Sequence, residues 1–201
     1  MMFFFLVLIG YVIGSIPSGY LAMRFFTGTD IRTLGTGSAT VTAVALHGGR
    51  RPATAAFVLE IVKAIACVMI ARQLVNEDWA TMVILVAAVV GCSWSIWLRG
   101  GGGQGLTIGI SGLVLRNVLP VLILSVFYLL PLAVTRRHVL SNRVFRMSLP
   151  PILGLWYGSW EWFLAGLLIV APSFIKGWIF GDDIQEVRKA EEAGHSSARV
   201  S

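Results

Sequence analysis

Three polar stretches interrupt an otherwise apolar chain, and each holds residues suited to binding a phosphate. In WLRGGGGQGLTIG, Trp97 to Gly109, every residue from Gly100 to Gly105 is glycine except Gln104. Successive backbone N–H groups in such a run can form an anion-binding nest, and glycine lets a ligand approach the backbone closely. Gly101, Gly102, Gly103 and Gly105 are candidate phosphate contacts, with Arg99 just before them and Gln104 among them. The Gly-Lys-Ser/Thr ending of a nucleotide-binding P-loop is missing. An apolar segment follows, so the loop would feed a short helix whose N-terminal N–H groups favour an anion. Close helix packing at a glycine-rich turn is the alternative.

The stretch from Asp30 to Pro52, DIRTLGTGSATVTAVALHGGRRP, combines Gly35 and Gly37 with the hydroxyls of Thr36, Ser38, Thr40 and Thr42. Arg32, Arg50 and Arg51 add positive charge. The set suits a phosphate, although a flexible polar connector stays open as an alternative, because Gly-x-Gly alone is weak. The third stretch, TRRHVLSNRVFRMS, runs from Thr135 to Ser148 and holds four arginines, His138, Ser141 and Asn142. Arginine matches a phosphate in two-point contact, but a basic loop beside anionic lipid needs no substrate. Glu60 and Lys63 stand three residues apart in FVLEIVKAIACV, a spacing that pairs them on one helical face. Ionisable groups at membrane depth usually face a bundle interior, where this pair would be structural or would support the floor of a site.

The elements that must position these residues are membrane helices. Of 201 residues, 56% are hydrophobic and 13% charged, against about 25% charged in soluble domains. Apolar runs occur near 2–23, 52–71, 79–98, 105–115, 118–134, 148–158 and 160–180. Four or five are long enough to cross a bilayer, which takes about 20 residues. The runs 105–115 and 148–158 would reach roughly 16 Å as helices, half of a ~30 Å hydrocarbon core, and are expected to be re-entrant or short and tilted. The fold class is therefore all-α integral membrane, with about seven transmembrane or re-entrant helices and a five-span arrangement as the variant.

With the N-terminus outside, thirteen basic residues fall inside: Arg24, Arg32, Arg50, Arg51, Arg99, Arg136, Arg137, Arg143, Arg146, and a tail with Lys176, Arg188, Lys189 and Arg199. Only Arg72 and Arg116 fall outside, so the positive-inside rule puts all three polar loops on the cytoplasmic face. Residues 1–180 are expected to form one polytopic domain, and the polar tail 181–201 a partly disordered cytoplasmic extension. The first apolar run has no basic leader and is read as a retained helix. Cys67 and Cys92 sit in apolar runs without metal-ligand spacing and read as packing residues. The net charge of +6 follows from topology. No segment resembles a nucleic-acid module, and nucleic acid is not an expected partner.

The order GSIPSGYL (Gly14–Leu21), DIRTLGTGSATVT, FVLEIVKA, GCSWSIWLRGGGGQG and RRHVLS resembles the PlsY family, bacterial acyl-phosphate:glycerol-3-phosphate acyltransferases, across residues 10–145. The resemblance implies seven transmembrane helices, an active site at the cytoplasmic face of the bacterial inner membrane, and acyl transfer from acyl phosphate to the 1-hydroxyl of glycerol 3-phosphate. The product would be lysophosphatidic acid. It implies no metal, no coenzyme A and no other cofactor; membrane lipids are the remaining partners, and a monomer is expected.

Mapped onto the motifs, Gln104, Ser141 and Arg137 would be catalytic. Gly35, Thr36, Gly37, Ser38, Thr40, Thr42, Arg99, Gly101, Gly102, Gly103 and Gly105 would bind phosphate, supported by Ser15, Glu60 and Lys63. The chain departs from the family pattern at several of these places. Ser38 stands for asparagine, Thr40 for glycine, Ala43 for asparagine, Leu46 for arginine, Cys92 for histidine, and Gly101 and Gln104 for two lysines. The late histidine-asparagine motif is not recognisable in SFIKGWIFGDDIQEV. The alternative reading is a PlsY-like membrane protein that binds phosphate or lipid without this reaction.

Overall fold

The computed structural model describes residues 1–180; the tail 181–201, with its expected disorder, lies outside the described residues. Among the described residues the chain forms nine α-helices and no strand: α1 Met2–Ser15, α2 Ser18–Thr27, α3 Val41–Gly48, α4 Arg50–Leu74, α5 Asp78–Ser93, α6 Leu106–Arg116, α7 Val118–Thr135, α8 His138–Tyr157 and α9 Trp160–Phe180. Five stretches are long and apolar enough to cross a membrane: Met2–Thr27, Arg50–Leu74, Asp78–Leu98, Val118–Thr135 and Trp160–Ile179. The short run at 105–115 is the 11-residue α6.

The third polar stretch is not a loop. Its residues from His138 onward join the apolar run at 148–158 in one 20-residue helix, α8. Ser141, Arg146, Leu149, Pro150 and Leu153 are its buried residues. That spacing is one helical stripe, and an arginine within the stripe conceals it from an apolar-run reading. The first polar stretch is also partly helical, since Thr40 caps α3 by accepting a hydrogen bond from the Ala43 N–H at 3.0 Å.

α5 lies at the centre of the bundle. Its Ile84, Leu85, Ala88 and Val89 are fully buried among Leu6, Val68, Ile108, Leu149 and Ile169 of neighbouring helices. α1 packs on α5 with small residues between them: a Cβ added at Gly14 would overlap the Ala88 backbone, and one at Gly10 would overlap the Ile84 carbonyl. Without a hydrophobic force between helices in lipid, such close backbone approach supplies much of the association. α7 stands at the margin, with Leu122, Val126, Leu129 and Leu130 exposed, as expected of a lipid-facing surface.

The first span is broken. Pro17 has no N–H and steers Ile16 out of the helical region (φ −57, ψ 117), so α1 stops at Ser15 and α2 restarts at Ser18. Lys63 of α4 reaches into the break. Its ammonium donates to the Gly14 carbonyl at 3.2 Å, the Ile16 carbonyl at 2.9 Å and Glu60 Oε1 at 2.8 Å. Ser95 Oγ donates to the Ser15 carbonyl at 2.5 Å, and Tyr11 Oη to the Trp94 carbonyl at 2.8 Å. Carbonyls freed by the proline are thus satisfied by protein where water is scarce.

The far end of the bundle holds Arg116 paired with Asp78, Arg72 donating to the Leu115 carbonyl, and Trp79 donating to Glu77. The two arginines assigned to the sparsely charged face therefore lie together, away from the polar loops.

Lys63 and Glu60 are 5% and 6% exposed. Lys63→Met leaves a buried carboxylate without its counter-charge, and is expected to destabilise the protein by about 3–5 kcal/mol, read as a lower thermal midpoint in detergent. The Glu60→Gln/Lys63→Met pair removes both charges and should recover part of that loss.

Candidate functional site

The polar loops meet at one end of the bundle around a cleft of about 280 Å³. Its walls are Thr40, Val41 and Thr42 at the start of α3; Gly103, Gln104, Gly105, Leu106 and Thr107 at the start of α6; and Glu60, Cys92, Tyr128 and Asn142. Two helix N-termini therefore face one space. The first-turn N–H groups of a helix have no intrahelical acceptor, and they present a partial positive charge.

The glycine run is closed rather than open. The N–H groups of Gly100, Gly101 and Gly103 donate to the carbonyls of Ser95, Leu98 and Cys92 at 2.8, 3.0 and 3.1 Å. In the first loop, Gly37 N–H donates to the Leu34 carbonyl at 2.9 Å, and Ser38 N–H to Thr36 Oγ1 at 3.4 Å. Those donors, expected to form nests, are engaged within the protein. The donor-rich geometry lies instead at the two helix starts, where Gly105, in the left-handed region at φ 70, turns the chain into α6.

One carbonyl ties the site together. Gly102 O accepts from Ala39 N–H at 3.4 Å, Ser38 Oγ at 3.5 Å and Lys176 Nζ at 3.0 Å. It joins the first loop, the glycine run and α9. Gly102 itself is pressed against α5: a Cβ there would lie 2.7 Å from the Ser93 carbonyl oxygen and still closer to that of Cys92.

Of the residues expected at the site, Thr40, Thr42, Gly103, Gln104, Gly105 and Glu60 line the cleft. Ser38, Gly102 and Lys63 lie behind it through the bonds given above. Gly101 flanks Arg32, whose side chain is held by Asp30 at 2.6 Å and lies over the Tyr20 ring. That ion pair holds the exposed Asp30 carboxyl below its usual pKa. Gly35 sits in the same turn, at φ 50. Arg99 and Arg137 are exposed outside the cleft lining. Ser141 is fully buried and its hydroxyl donates back to the Arg137 carbonyl at 3.1 Å. Ser15 is buried at the α1 break, its carbonyl bonded by Ser95.

Several cleft residues escaped the sequence reading. Tyr128 and Thr107 bring hydroxyls from apolar helices, while Asn142, named in the third stretch, lines the cleft where Ser141 does not. Cys92, read as a packing residue, opens on the cleft, with its thiol 3.7 and 3.8 Å from the two Glu60 oxygens. Lys176, assigned to the inner tail, is instead a buried residue of α9. Ser173, one turn earlier, donates to Gln104 Oε1 at 2.9 Å. A second groove of about 490 Å³, almost wholly apolar, begins at Leu106 and Thr107 and continues along Ile61, Ile110, Val114 and Phe145.

Fold and cleft together define a multi-pass membrane protein with a polar cleft at one end of a helical bundle. The chain belongs to the glycerol-3-phosphate acyltransferase family, whose sequence profile matches residues 4–189. It is 31% identical over 167 residues to a glycerol-3-phosphate acyltransferase of Desulforamulus reducens, covering 83% of this chain and 84% of that one. It is 29% identical over 197 residues to one of Thermosynechococcus vestitus, covering 93% and 92%. Its fold is similar to a crystal structure of PlsY (YgiH), an integral membrane glycerol 3-phosphate acyltransferase in its glycerol 3-phosphate form. The TM-score is 0.78 at 19% identity, with 94% of each chain covered.

Gly102→Ala is expected to cost about 1–3 kcal/mol through overpacking, seen as reduced thermal stability. Gly103→Ala should cost less, because its nearest neighbour would be the Ala39 carbonyl oxygen at 3.3 Å.

Proposed function

We propose that the protein transfers an acyl group from acyl phosphate to glycerol 3-phosphate, yielding lysophosphatidic acid, at the cytoplasmic face of the bacterial inner membrane. The observation that carries this reading is the cleft between the starts of α3 and α6, in a chain of this family. Both substrates bear a phosphate, and paired helix N-termini are a natural anion site. Thr40, Thr42, Thr107 and Tyr128 add hydroxyl donors, and Gln104 and Asn142 add amides. Glu60 at the cleft wall is neutralised by Lys63, so its charge does not repel the ligand.

The reaction needs little covalent chemistry from the protein. The 1-hydroxyl of glycerol 3-phosphate attacks the acyl carbon, the bond from that carbon to the phosphate oxygen breaks, and the hydroxyl proton leaves with inorganic phosphate. Catalysis is then positioning plus stabilisation of the oxyanion on the acyl carbon. Gln104 is well placed to donate to that oxygen or to a phosphate. Gly35, Thr36, Gly37, Ser38, Gly101, Gly102, Gly103 and Gly105 shape the walls, and Arg99, Arg137 and Ser141 flank them. The apolar groove that continues from Leu106 and Thr107 suits the acyl chain, and residues 1–180 act as one domain.

The purified protein, reconstituted in lipid with millimolar acyl phosphate and glycerol 3-phosphate, should release inorganic phosphate and lysophosphatidic acid in equal amounts. Phosphate release no faster than from empty vesicles would overturn the reading in favour of a non-catalytic family member. Ile110→Trp should narrow the groove and shift the preferred donor to shorter acyl chains, measured as kcat/KM across a chain-length series.

A further inference from the structure

Glu60 is the one carboxylate among the residues that line the cleft. The hydroxyls and amides around it can donate or accept, whereas an ionised carboxylate only accepts. Its two oxygens are unequally served. Oε1 takes the Lys63 ammonium at 2.8 Å. Oε2 is approached, among the described residues, only by the Cys92 thiol at 3.7 Å, and a thiol is a weak donor. The residue as a whole is 6% exposed.

The pairing with Lys63 does not account for the second oxygen. Lys63 completes its bonds on the Gly14 and Ile16 carbonyls and on Oε1 alone. A buried acceptor without a good donor is costly, and this one stands beside Cys92, which also lines the cleft. The ligand chemistry that would complete it is narrow. A phosphate oxygen is repelled by a carboxylate, and a hydroxyl is drawn to it. Of the two substrates, acyl phosphate has no hydroxyl on its chain. Glycerol 3-phosphate has two, on adjacent carbons.

We propose that Glu60 is the specificity residue for the acceptor, taking hydrogen bonds from the glycerol hydroxyls through Oε2. The inference rests on the acyltransferase reading for its substrate. It gives the cleft a polarity: the phosphate takes the N–H groups at the starts of α3 and α6, and the hydroxyl end takes the carboxylate. The attacking 1-hydroxyl is thereby held at a fixed end of the cleft, and its proton still leaves with inorganic phosphate. Lys63 becomes a positioning residue, since by occupying Oε1 it leaves Oε2 for the ligand.

The test compares glycerol 3-phosphate with propyl phosphate, which keeps the phosphate and lacks both hydroxyls, by calorimetry on the full chain in lipid. The wild type should bind glycerol 3-phosphate about 10–100-fold more tightly, the range for a hydrogen bond to a charged group. A preference below about threefold would overturn the proposal without any variant. Glu60→Gln has a defined orientation. The Lys63 ammonium only donates, so the amide oxygen stays toward it and an NH2 group replaces Oε2. The preference should fall to about threefold or less, while propyl phosphate keeps its affinity within about threefold. KM for glycerol 3-phosphate should rise and KM for acyl phosphate should not. A preference as wide as in the wild type would overturn the proposal, and so would equal weakening of both ligands, the mark of a purely structural ion pair.

Glu60→Asp keeps the charge beside Lys63, and with it the fold, but draws the acceptor back by one methylene. Hydrogen bonds weaken steeply as geometry departs from ideal, so the preference should again fall by at least about threefold; an unchanged preference would sink the idea. A protein that prefers glycerol 3-phosphate through Glu60 yet releases no phosphate from acyl phosphate would retire the acyltransferase reading and leave this one standing.

Discussion

One buried ammonium sets the arrangement on which the rest depends. Lys63 sits inside the bundle, holding the Gly14 and Ile16 carbonyls and the Glu60 carboxylate. A lysine at that depth is tolerated only with its hydrogen bonds complete, and the break in the first span completes them. The dependence is mutual. Pro17 frees the carbonyls and Lys63 answers them, so α1, α2 and α4 are fixed together. From that junction Glu60 projects to the cleft, and Ser95, bonded to the Ser15 carbonyl, starts the turn that leads into the glycine run.

The cleft follows from where helices start rather than from the loops themselves. α3 and α6 are among the shorter helices, and neither spans a bilayer. Their contribution is to bring first-turn N–H groups to a common space at the end of longer helices that do span. The wall is completed by amides and hydroxyls from α7 and α8. Much of the donor surface of the cleft is therefore backbone, held in place by side chains behind it.

Much of this was legible in the sequence. The long apolar runs marked the spans, because twenty apolar residues admit few other fates. The i, i+3 spacing of Glu60 and Lys63 gave the ion pair, whereas the break at Pro17 was missed, because the apolar run 2–23 reads as one helix. The brevity of α6 could be read from its 11 residues. Other features were hidden for physical reasons. Arg143 and Arg146 made the start of α8 look like a basic loop, although Ser141, Arg146 and Leu149 lie on one buried stripe. The contact of Lys176 with Gly102 spans 74 residues, and no local pattern encodes it. Cys92 and Tyr128 look like packing residues because their neighbours are apolar; only the meeting of six helices, α3 to α8, exposes them to the cleft.

A run of four glycines is commonly taken for slack in a chain. Here Gly100, Gly101 and Gly103 each give up their N–H to a nearby carbonyl, and the Gly102 oxygen is gripped by three donors from two other parts of the fold. Absent side chains allow the segment to lie flat against Cys92 and Ser93, and once there it has few unbonded groups left. The segment behaves as a strut between α5 and α9. A push on either helix would pass along it to Gln104, and the mechanical stiffness of the site resides in its smallest residues.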